Sequence, residues 1–240
     1  MGKIISICGS PSSGKTTAGL KIAQELYYQR KVSVIYISPD WNKPTVSFLF
    51  PFKKEAELHS LGNVLDKTAV TADDILAGCV YSEKNENFGY LGYKAGENRF
   101  SFPIPTEDKV LGLLRAASDL AEYVFVDCSS YYDDPISRIA MRKADWHIQF
   151  IVSDLLSMVY YLSYEEKYKQ IESTVYKVNN STSSDVYLPE GLVKAHFENI
   201  MFNLPYSMAL KKQSVSGVLS DKINDMKFRK ECGRLVEMLP

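Results

Sequence analysis

Gly9-Ser10-Pro11-Ser12-Ser13-Gly14-Lys15-Thr16 fits the pattern G-x-x-x-x-G-K-[ST] of a phosphate-binding loop. The apolar run 3–8 before it predicts a buried strand. After it, the helical spacing of Leu20, Ala23 and Leu26 predicts a helix. A strand, a glycine-containing loop and a helix in this order point backbone N–H groups and the positive end of the helix dipole at a phosphate group. The stretch therefore predicts a nucleotide-binding α/β domain, the alternative being a chance turn before a helix.

The residue types in this loop suggest a role for each position. The two glycines would let the backbone approach a phosphate, Lys15 would reach the β- and γ-phosphates, and the Thr16 hydroxyl would bind Mg²⁺. We predict that the whole stretch contacts the nucleotide, through Gly9, Ser10, Pro11, Ser12, Ser13, Gly14, Lys15, Thr16 and Thr17.

Composition limits the class of protein. The chain has 240 residues, of which 45% are hydrophobic, and a formal net charge of −1. This length and apolar fraction suit one large domain over residues 1–240, and the near-zero charge disfavours a globally basic DNA-binding protein. The four cysteines are scattered without a C-x-x-C pair, which favours reduced thiols and a cytoplasmic location. Met1 leads directly into the first strand, so we expect no signal peptide, and no apolar run is long enough to cross a membrane.

Strands and helices alternate along most of the chain. Strands are predicted over 32–37, 122–127, 145–152, 173–178 and 198–202, and helices over 17–29, 106–121, 135–143, 154–167 and 221–239. The stretch 41–105 is less regular, with short helices near 54–61 and 72–76 and strand character near 89–94. Alternation of this kind implies a mostly parallel sheet with helices on both faces. The predicted fold is the three-layer α/β/α sandwich of P-loop nucleotide triphosphatases.

Two aspartates follow predicted strands at the edge of the sheet where ligands bind. Asp127 ends an apolar strand and is the expected second anchor for Mg²⁺, together with Thr16. Asp40 follows the second strand and could orient the attacking water. The predicted catalytic residues are therefore Lys15, Asp40 and Asp127, although either aspartate could instead be a turn residue.

The order of these motifs resembles the MinD/ParA family of deviant Walker A ATPases, within the SIMIBI class, over nearly the whole chain. Each match is a short segment that follows a predicted strand or helix in the order that the family shows. The matching segments, in addition to the loop, are Ser38–Asn42, Asp127, Ala144–Asp145, Ser153–Ser157, Asn179 or Asn180, and Asn203–Ser207.

The resemblance implies ATP and Mg²⁺ as cofactors and a homodimer that forms with nucleotide. It also implies that an asparagine after a late strand reads adenine, which we assign to Asn179, with Pro205 in the same site. Members of this family position a partner at a division site, cell pole, membrane or DNA, so we expect an unidentified protein partner. No guanine-specific Asn-Lys-x-Asp motif occurs, which leaves the choice of base open.

Two positions depart from the family pattern. Ser10 stands where the family has its signature lysine, which crosses the dimer interface, and Ser38 replaces the first Asp of an Asp-x-Asp pair. The TadZ and CpaE pilus-assembly proteins also have atypical loops, but they usually carry a receiver domain, which we do not find here. We therefore expect a switch that hydrolyses ATP slowly. The alternatives are a non-hydrolysing ATP-binding scaffold and a small-molecule phosphotransferase, although the chain lacks an arginine-rich lid.

The end of the chain predicts an amphipathic helix. Its apolar stripe consists of Phe228, Cys232, Leu235, Val236 and Leu239. MinD ends in a membrane-targeting helix, but the mixed charges here favour packing on the sheet. Weak peripheral membrane contact and nonspecific DNA contact through basic patches are the lesser alternatives.

Overall fold

The computed structural model describes residues 1–171, 173–184 and 187–240. The strands are β1 (Lys3–Gly9), β2 (Val34–Ser38), β3 (Val80–Ser82), β4 (Asn85–Gly92), β5 (Tyr123–Asp127), β6 (Trp146–Ile151), β7 (Thr174–Asn180) and β8 (Ile200–Leu204). The helices are α1 (Lys15–Arg30), α2 (Val46–Leu49), α3 (Leu61–Leu65), α4 (Ala72–Gly78), α5 (Glu107–Leu120), α6 (Pro135–Lys143), α7 (Leu155–Tyr168), α8 (Glu190–His196), α9 (Met208–Val215) and α10 (Met226–Met238), with a short 3₁₀ helix at Glu55–Glu57.

The strands form one sheet in the order β3-β4-β2-β5-β1-β6-β7-β8. Every neighbouring pair is parallel except β3 and β4, which are antiparallel. The strand that carries the loop, β1, lies at the centre between β5 and β6, and Ile7 on β1 lies opposite Asp127 on β5. The predicted mostly parallel α/β fold is confirmed, and its topology brings the predicted site residues to one edge of the sheet.

Separate apolar cores cover the two faces of the sheet. One contains α1, α10 and the side chains of Phe125 and Phe150, and the other contains α5, α6 and the side chains of Val124 and Val126. A strand that is buried on both faces has a nearly continuous run of apolar residues. This is why the sequence of β5 predicts a strand.

The stretch between β2 and α5 differs from its prediction. The helix expected near 54–61 is a 3₁₀ turn followed by α3, because the Ser60 hydroxyl accepts from Gly62 N and starts a new helix there. The strand character near 89–94 belongs to β4, which pairs with β3 as an antiparallel hairpin at the sheet edge. Two helices, α8 and α9, were not predicted, and the last helix begins at Met226, where Asp225 caps it by accepting from Phe228 N.

The stripe on α10 is part of the core. All five of its residues (Phe228, Cys232, Leu235, Val236 and Leu239) are buried in the core that also contains α1. Arg30, at the end of α1, donates to the carbonyl oxygens of Val236 and Leu239, each at 2.6 Å. The expectation that this helix packs on the domain is therefore confirmed. In the part of the chain that the structure describes, no helix combines the length and apolar character needed to cross a membrane.

His147 is a buried strand residue of β6. Its ring nitrogens bond to the hydroxyls of Ser6 at 2.5 Å and Ser173 at 2.6 Å. Burial lowers the pKa of His147 to about 4, so the ring is neutral at pH 7. This histidine is therefore a core group whose two ring nitrogens both have partners.

Candidate phosphate-binding site

The loop between β1 and α1 folds as a tight turn followed by a left-handed glycine. Ser13 N donates to Ser10 O at 3.2 Å, with Pro11 at the second position of the turn and Ser12 at the third. Ser12 has φ 61°, the left-handed conformation that the third position of a type II turn requires. Gly14 has φ 73°, which favours glycine because it has no Cβ.

The loop lies so close to neighbouring strands that its glycines are needed for space as well. A Cβ on Gly14 would be 2.5 Å from Asn180 Nδ2, and a Cβ on Gly9 would be 2.8 Å from Phe150 O. The loop backbone therefore lies directly against β6 and β7, and a larger residue at either glycine would have to displace these neighbours.

Helix α1 begins at the loop without a side-chain cap. Its N-cap residue is Gly14, and its first turn contains no acidic residue. The first N–H groups of a helix have no partner within the helix, and the helix dipole makes this end positive. Because no side chain occupies them, these groups can bind a phosphate.

A cavity of about 430 Å³ opens beside this helix end. It is lined by Ser12, Gly14, Lys15, Thr16, Thr17, Asp40, Lys43, Pro44, Thr45 and Phe48. The structure therefore brings six predicted site residues to one cavity: Ser12, Gly14, Lys15, Thr16, Thr17 and Asp40. Asp40 Oδ1 accepts from Asn42 N at 3.0 Å, which holds the carboxylate in an Asx turn at the cavity wall.

The Lys15 ammonium is held by a residue that sequence reasoning missed. Lys15 Nζ donates to Ser130 Oγ at 2.7 Å, and Ser130 Oγ donates to Gly9 O at 2.8 Å. Ser130 follows Asp127 by three residues, and its type alone gave no signal, since Ser129 beside it is equally polar. Proximity to the end of β5 was the only available clue.

Asp127 lies at the end of β5, and its carboxyl group is fully buried. Burial raises its pKa to about 6, although the nearby Lys15 charge and the hydroxyls of Thr16 and Ser38 favour the ionised form. Ser38 Oγ donates to Asp127 Oδ2 at 3.4 Å, whereas Oδ1 is buried and has no hydrogen-bond partner among the described residues. A buried carboxylate oxygen without a partner suits a cation or its bound water. The donor set of Thr16 and Asp127 therefore fits Mg²⁺.

A second cavity, of about 210 Å³, adjoins the first. It is lined by Ser12, Gly14, Thr17, Ala18, Asn180, Ser181, Thr182, Pro205, Tyr206, Ser207, Leu210, Lys211, Ser214 and Phe228. Both cavities share Ser12, Gly14 and Thr17 in their lining, so they lie next to each other on the loop.

The structure distinguishes the two asparagines at the end of β7. Asn180 lines the second cavity and donates through Nδ2 to Ser13 O at 2.8 Å. Asn179 does not line it: its Oδ1 accepts from Ser153 Oγ at 2.9 Å, and its Nδ2 donates to Asn203 Oδ1 at 3.2 Å. Both residues lie within β7, where successive side chains point to opposite faces. Pro205 lines the cavity as expected.

Four predicted loop contacts do not line either cavity: Gly9, Ser10, Pro11 and Ser13. The Ser10 hydroxyl is buried against Ser157 Oγ at 3.0 Å, Pro11 is exposed, and Ser13 Oγ is buried without a partner among the described residues.

No protein-family model and no curated protein sequence matches the chain. Similar solved structures include MinD from Pyrococcus horikoshii OT3 complexed with Mg-ADP, with 15% identity, a TM-score of 0.77 and coverage of 99% of this chain and 96% of that chain. The ParA family ATPase from Chlorobium tepidum TLS has 13% identity, a TM-score of 0.71 and 98% coverage of both chains. The chain has the MinD/ParA ATPase fold.

A third structure with the MinD/ParA fold was solved with a nucleotide analogue. The putative plasmid partition protein of Borrelia burgdorferi B31 bound to AMPPNP has 14% identity, a TM-score of 0.73 and coverage of 99% of this chain and 98% of that chain. At such identities the likeness establishes the fold, and the function has to be argued from the site.

Proposed function

We propose that the protein is a nucleotide-dependent switch that binds ATP with Mg²⁺ and hydrolyses it slowly. The observation that carries this proposal is the meeting of Lys15, Thr16 and Asp40 at one cavity, near the buried Asp127 carboxyl group, whose Oδ1 has no partner among the described residues. The base would occupy the second cavity and the phosphates the first, so that the nucleotide would cross the loop where the two cavities join.

Each site residue has a definite task in this proposal. Lys15 leaves Ser130 for the β- and γ-phosphates, and the backbone N–H groups at the start of α1, from Gly14 to Thr17, bind the remaining oxygens. Thr16 and Asp127 would hold Mg²⁺, which when bound neutralises charge on the phosphates. Asp40 lies at the cavity wall, where it can orient the water that attacks the terminal phosphate.

Ser10 supports slow turnover. Its hydroxyl is directed at Ser157, so this position offers no cation to a second copy of the chain. A cation that stabilises the negative charge developing on the transferred phosphate can raise the hydrolysis rate by several orders of magnitude. Because position 10 is a serine, we expect hydrolysis to be slow. For the same reason a non-hydrolysing scaffold that binds ATP is the second candidate.

We propose that nucleotide controls dimerisation, and that the dimer positions a protein partner in the cytoplasm, at the membrane or at a cell pole. Support comes from the MinD/ParA fold, since one neighbour is a MinD and another a plasmid partition protein. Peripheral membrane contact and nonspecific DNA contact are weaker options, because the chain has a net charge of −1 and the α10 stripe is buried.

Binding, turnover and oligomeric state of the purified wild-type protein test the proposal. We expect saturable ATP binding that needs Mg²⁺, phosphate release well below one per second, and a mass by light scattering that doubles with ATP but not with ADP. Binding without phosphate release, with or without a partner, would favour the scaffold. Failure to bind any nucleoside triphosphate would reject both.

The Asn180 amide supports adenine as the base. Its Nδ2 donates one of its two hydrogens to Ser13 O, which orients the amide, and its Oδ1 accepts no hydrogen bond from the described residues. An acceptor complements the N6 amino group of adenine, whereas guanine presents an acceptor, O6, at the corresponding place.

We expect Asn180→Ala to weaken ATP binding about tenfold and to reduce the preference for ATP over GTP, because one hydrogen bond to the base and the contact with Ser13 are lost. Calorimetric titration with both nucleotides measures this. Asn179→Ala is the matched control, since Asn179 lies outside the cavity, and it should leave both affinities unchanged. The assignment is wrong if only the Asn179 variant loses affinity.

A further inference from the structure

Lys43 is a second cation at the phosphate cavity. It lies in the segment between β2 and α2 and lines the cavity together with Lys15 and Asp40. Its side chain is exposed, and within residues 1–171, 173–184 and 187–240 its ammonium has no hydrogen-bond or ion-pair partner.

The backbone that carries Lys43 is held in place. Lys43 N donates to Asp40 O at 3.2 Å, and the Asx turn at Asp40 fixes the residues between them. Trp41 is 6% exposed and packs into the core that covers α5 and α6, which anchors the segment from the other side. The side chain is thus free while its attachment point is fixed beside the cavity.

The charges around the cavity leave room for this cation. Its charged lining residues are Lys15, Lys43 and Asp40, so Lys15 and Asp40 nearly cancel before a ligand arrives. A nucleoside triphosphate carries several negative charges, most of them on its β- and γ-phosphates. Ser10, on the loop itself, is neutral and directed at Ser157. Of the two cations that line the cavity, Lys43 is therefore the one whose ammonium has no hydrogen-bond partner among the described residues.

The position of Lys43 indicates which phosphate it meets. The residues shared with the second cavity, Ser12, Gly14 and Thr17, mark the side from which the base enters. Lys43 and Asp40 line only the phosphate cavity, on the part not shared with the base. We infer that Lys43 contacts the terminal phosphate of a bound nucleoside triphosphate from within the same chain, an inference that rests on the proposed function.

Affinities for AMPPNP and ADP, each with Mg²⁺, test this inference. We expect Lys43→Gln to weaken AMPPNP binding about tenfold and ADP binding less than about threefold, because a charge-assisted contact to the terminal phosphate exists only with the triphosphate. The difference between the AMPPNP loss and the ADP loss in this variant should become smaller at high salt, because Lys43 is solvent-exposed and salt screens its charge. Lys43→Arg should keep AMPPNP affinity within about threefold of wild type, because the charge is retained.

Lys67→Gln is the matched control, because Lys67 is exposed and lies outside both cavities. It should leave both affinities unchanged. Equal losses for AMPPNP and ADP in Lys43→Gln, or no loss for either, would overturn the assignment to the terminal phosphate. If the wild-type protein binds neither nucleotide, the proposed function itself fails. If the wild-type protein binds both nucleotides and Lys43→Gln binds them equally well, only the inference about Lys43 fails.

Discussion

Replacing Lys15 with alanine is expected to lower ATP affinity by about 100-fold or more, because in the proposed function this buried ammonium makes charge-assisted hydrogen bonds to two phosphates. Folding should change little. The Ser130 hydroxyl, which accepts from Lys15 at 2.7 Å, would still donate to Gly9 O. Calorimetric titration with ATP and Mg²⁺ measures the first expectation, and chemical unfolding without nucleotide measures the second.

Ser130→Ala is the control for the Lys15 variant. It removes the partner of Lys15 in the nucleotide-free protein but no predicted ligand contact, so ATP affinity should stay the same or rise. An affinity loss in Ser130→Ala as large as that in Lys15→Ala would mean that the two residues act as one structural unit, and that Lys15 does not contact phosphate. Unchanged affinity in Lys15→Ala would remove the phosphate site from this loop.

Asp127→Asn is expected to have opposite effects on stability and on function. The carboxyl pKa is raised to about 6 in the folded protein from an ordinary value of 3.8. Below pH 3.8 the group is protonated in both states and has no effect. Between these values the folded state holds a proton that the unfolded state releases, so stability falls as pH rises. Above pH 6 the buried, ionised carboxylate lowers the free energy of unfolding by about 3 kcal/mol. The uncharged amide of the variant does not have this effect.

The measurement is the free energy of unfolding of both proteins from pH 4 to pH 8, without nucleotide or Mg²⁺. Relative to the wild type, the free energy of unfolding of the variant should increase as pH rises to about 6. Above pH 6 it should exceed the wild-type value by about 1–3 kcal/mol. Asp134, whose pKa burial also raises to about 6, adds the same slope to both proteins and cancels in the difference.

At the same time the dependence of ATP binding on Mg²⁺ should be lost in Asp127→Asn, because the amide offers a weaker metal ligand. A variant that is destabilised at pH 7 would show that the carboxylate has a partner in the folded protein. A variant that keeps the Mg²⁺ dependence would place the metal elsewhere.

The sequence predicted the parts of the site that depend on local pattern. The loop, the helix after it and the aspartate at the end of β5 each follow from a short run of residues, because strand burial and helix spacing are local properties. These parts come together in the fold because strands that are far apart in the sequence pair side by side in the sheet. The path of the chain between Asp40 and α5 could not be predicted, because short helices and an edge hairpin depend on tertiary packing more than on propensity.

Two site residues show where the sequence was insufficient. Asn179 and Asn180 have the same chemistry, and only their alternation on β7 decides which one meets the cavity. A shift of one residue in a strand moves a side chain to the other face, and the predicted strand end at 178 could not resolve this. Lys43 gave no signal either, because an exposed lysine in a loop is ordinary until the cavity beside it is known.

The hydrogen bonds from Lys15 to Ser130 and from Ser130 to Gly9 O bear on the free energy of nucleotide binding. The Ser130 hydroxyl satisfies the buried Lys15 ammonium from within the chain. In the proposed function a phosphate oxygen replaces this hydroxyl, so the ammonium exchanges one hydrogen-bond partner for another and the surrounding backbone need not rearrange.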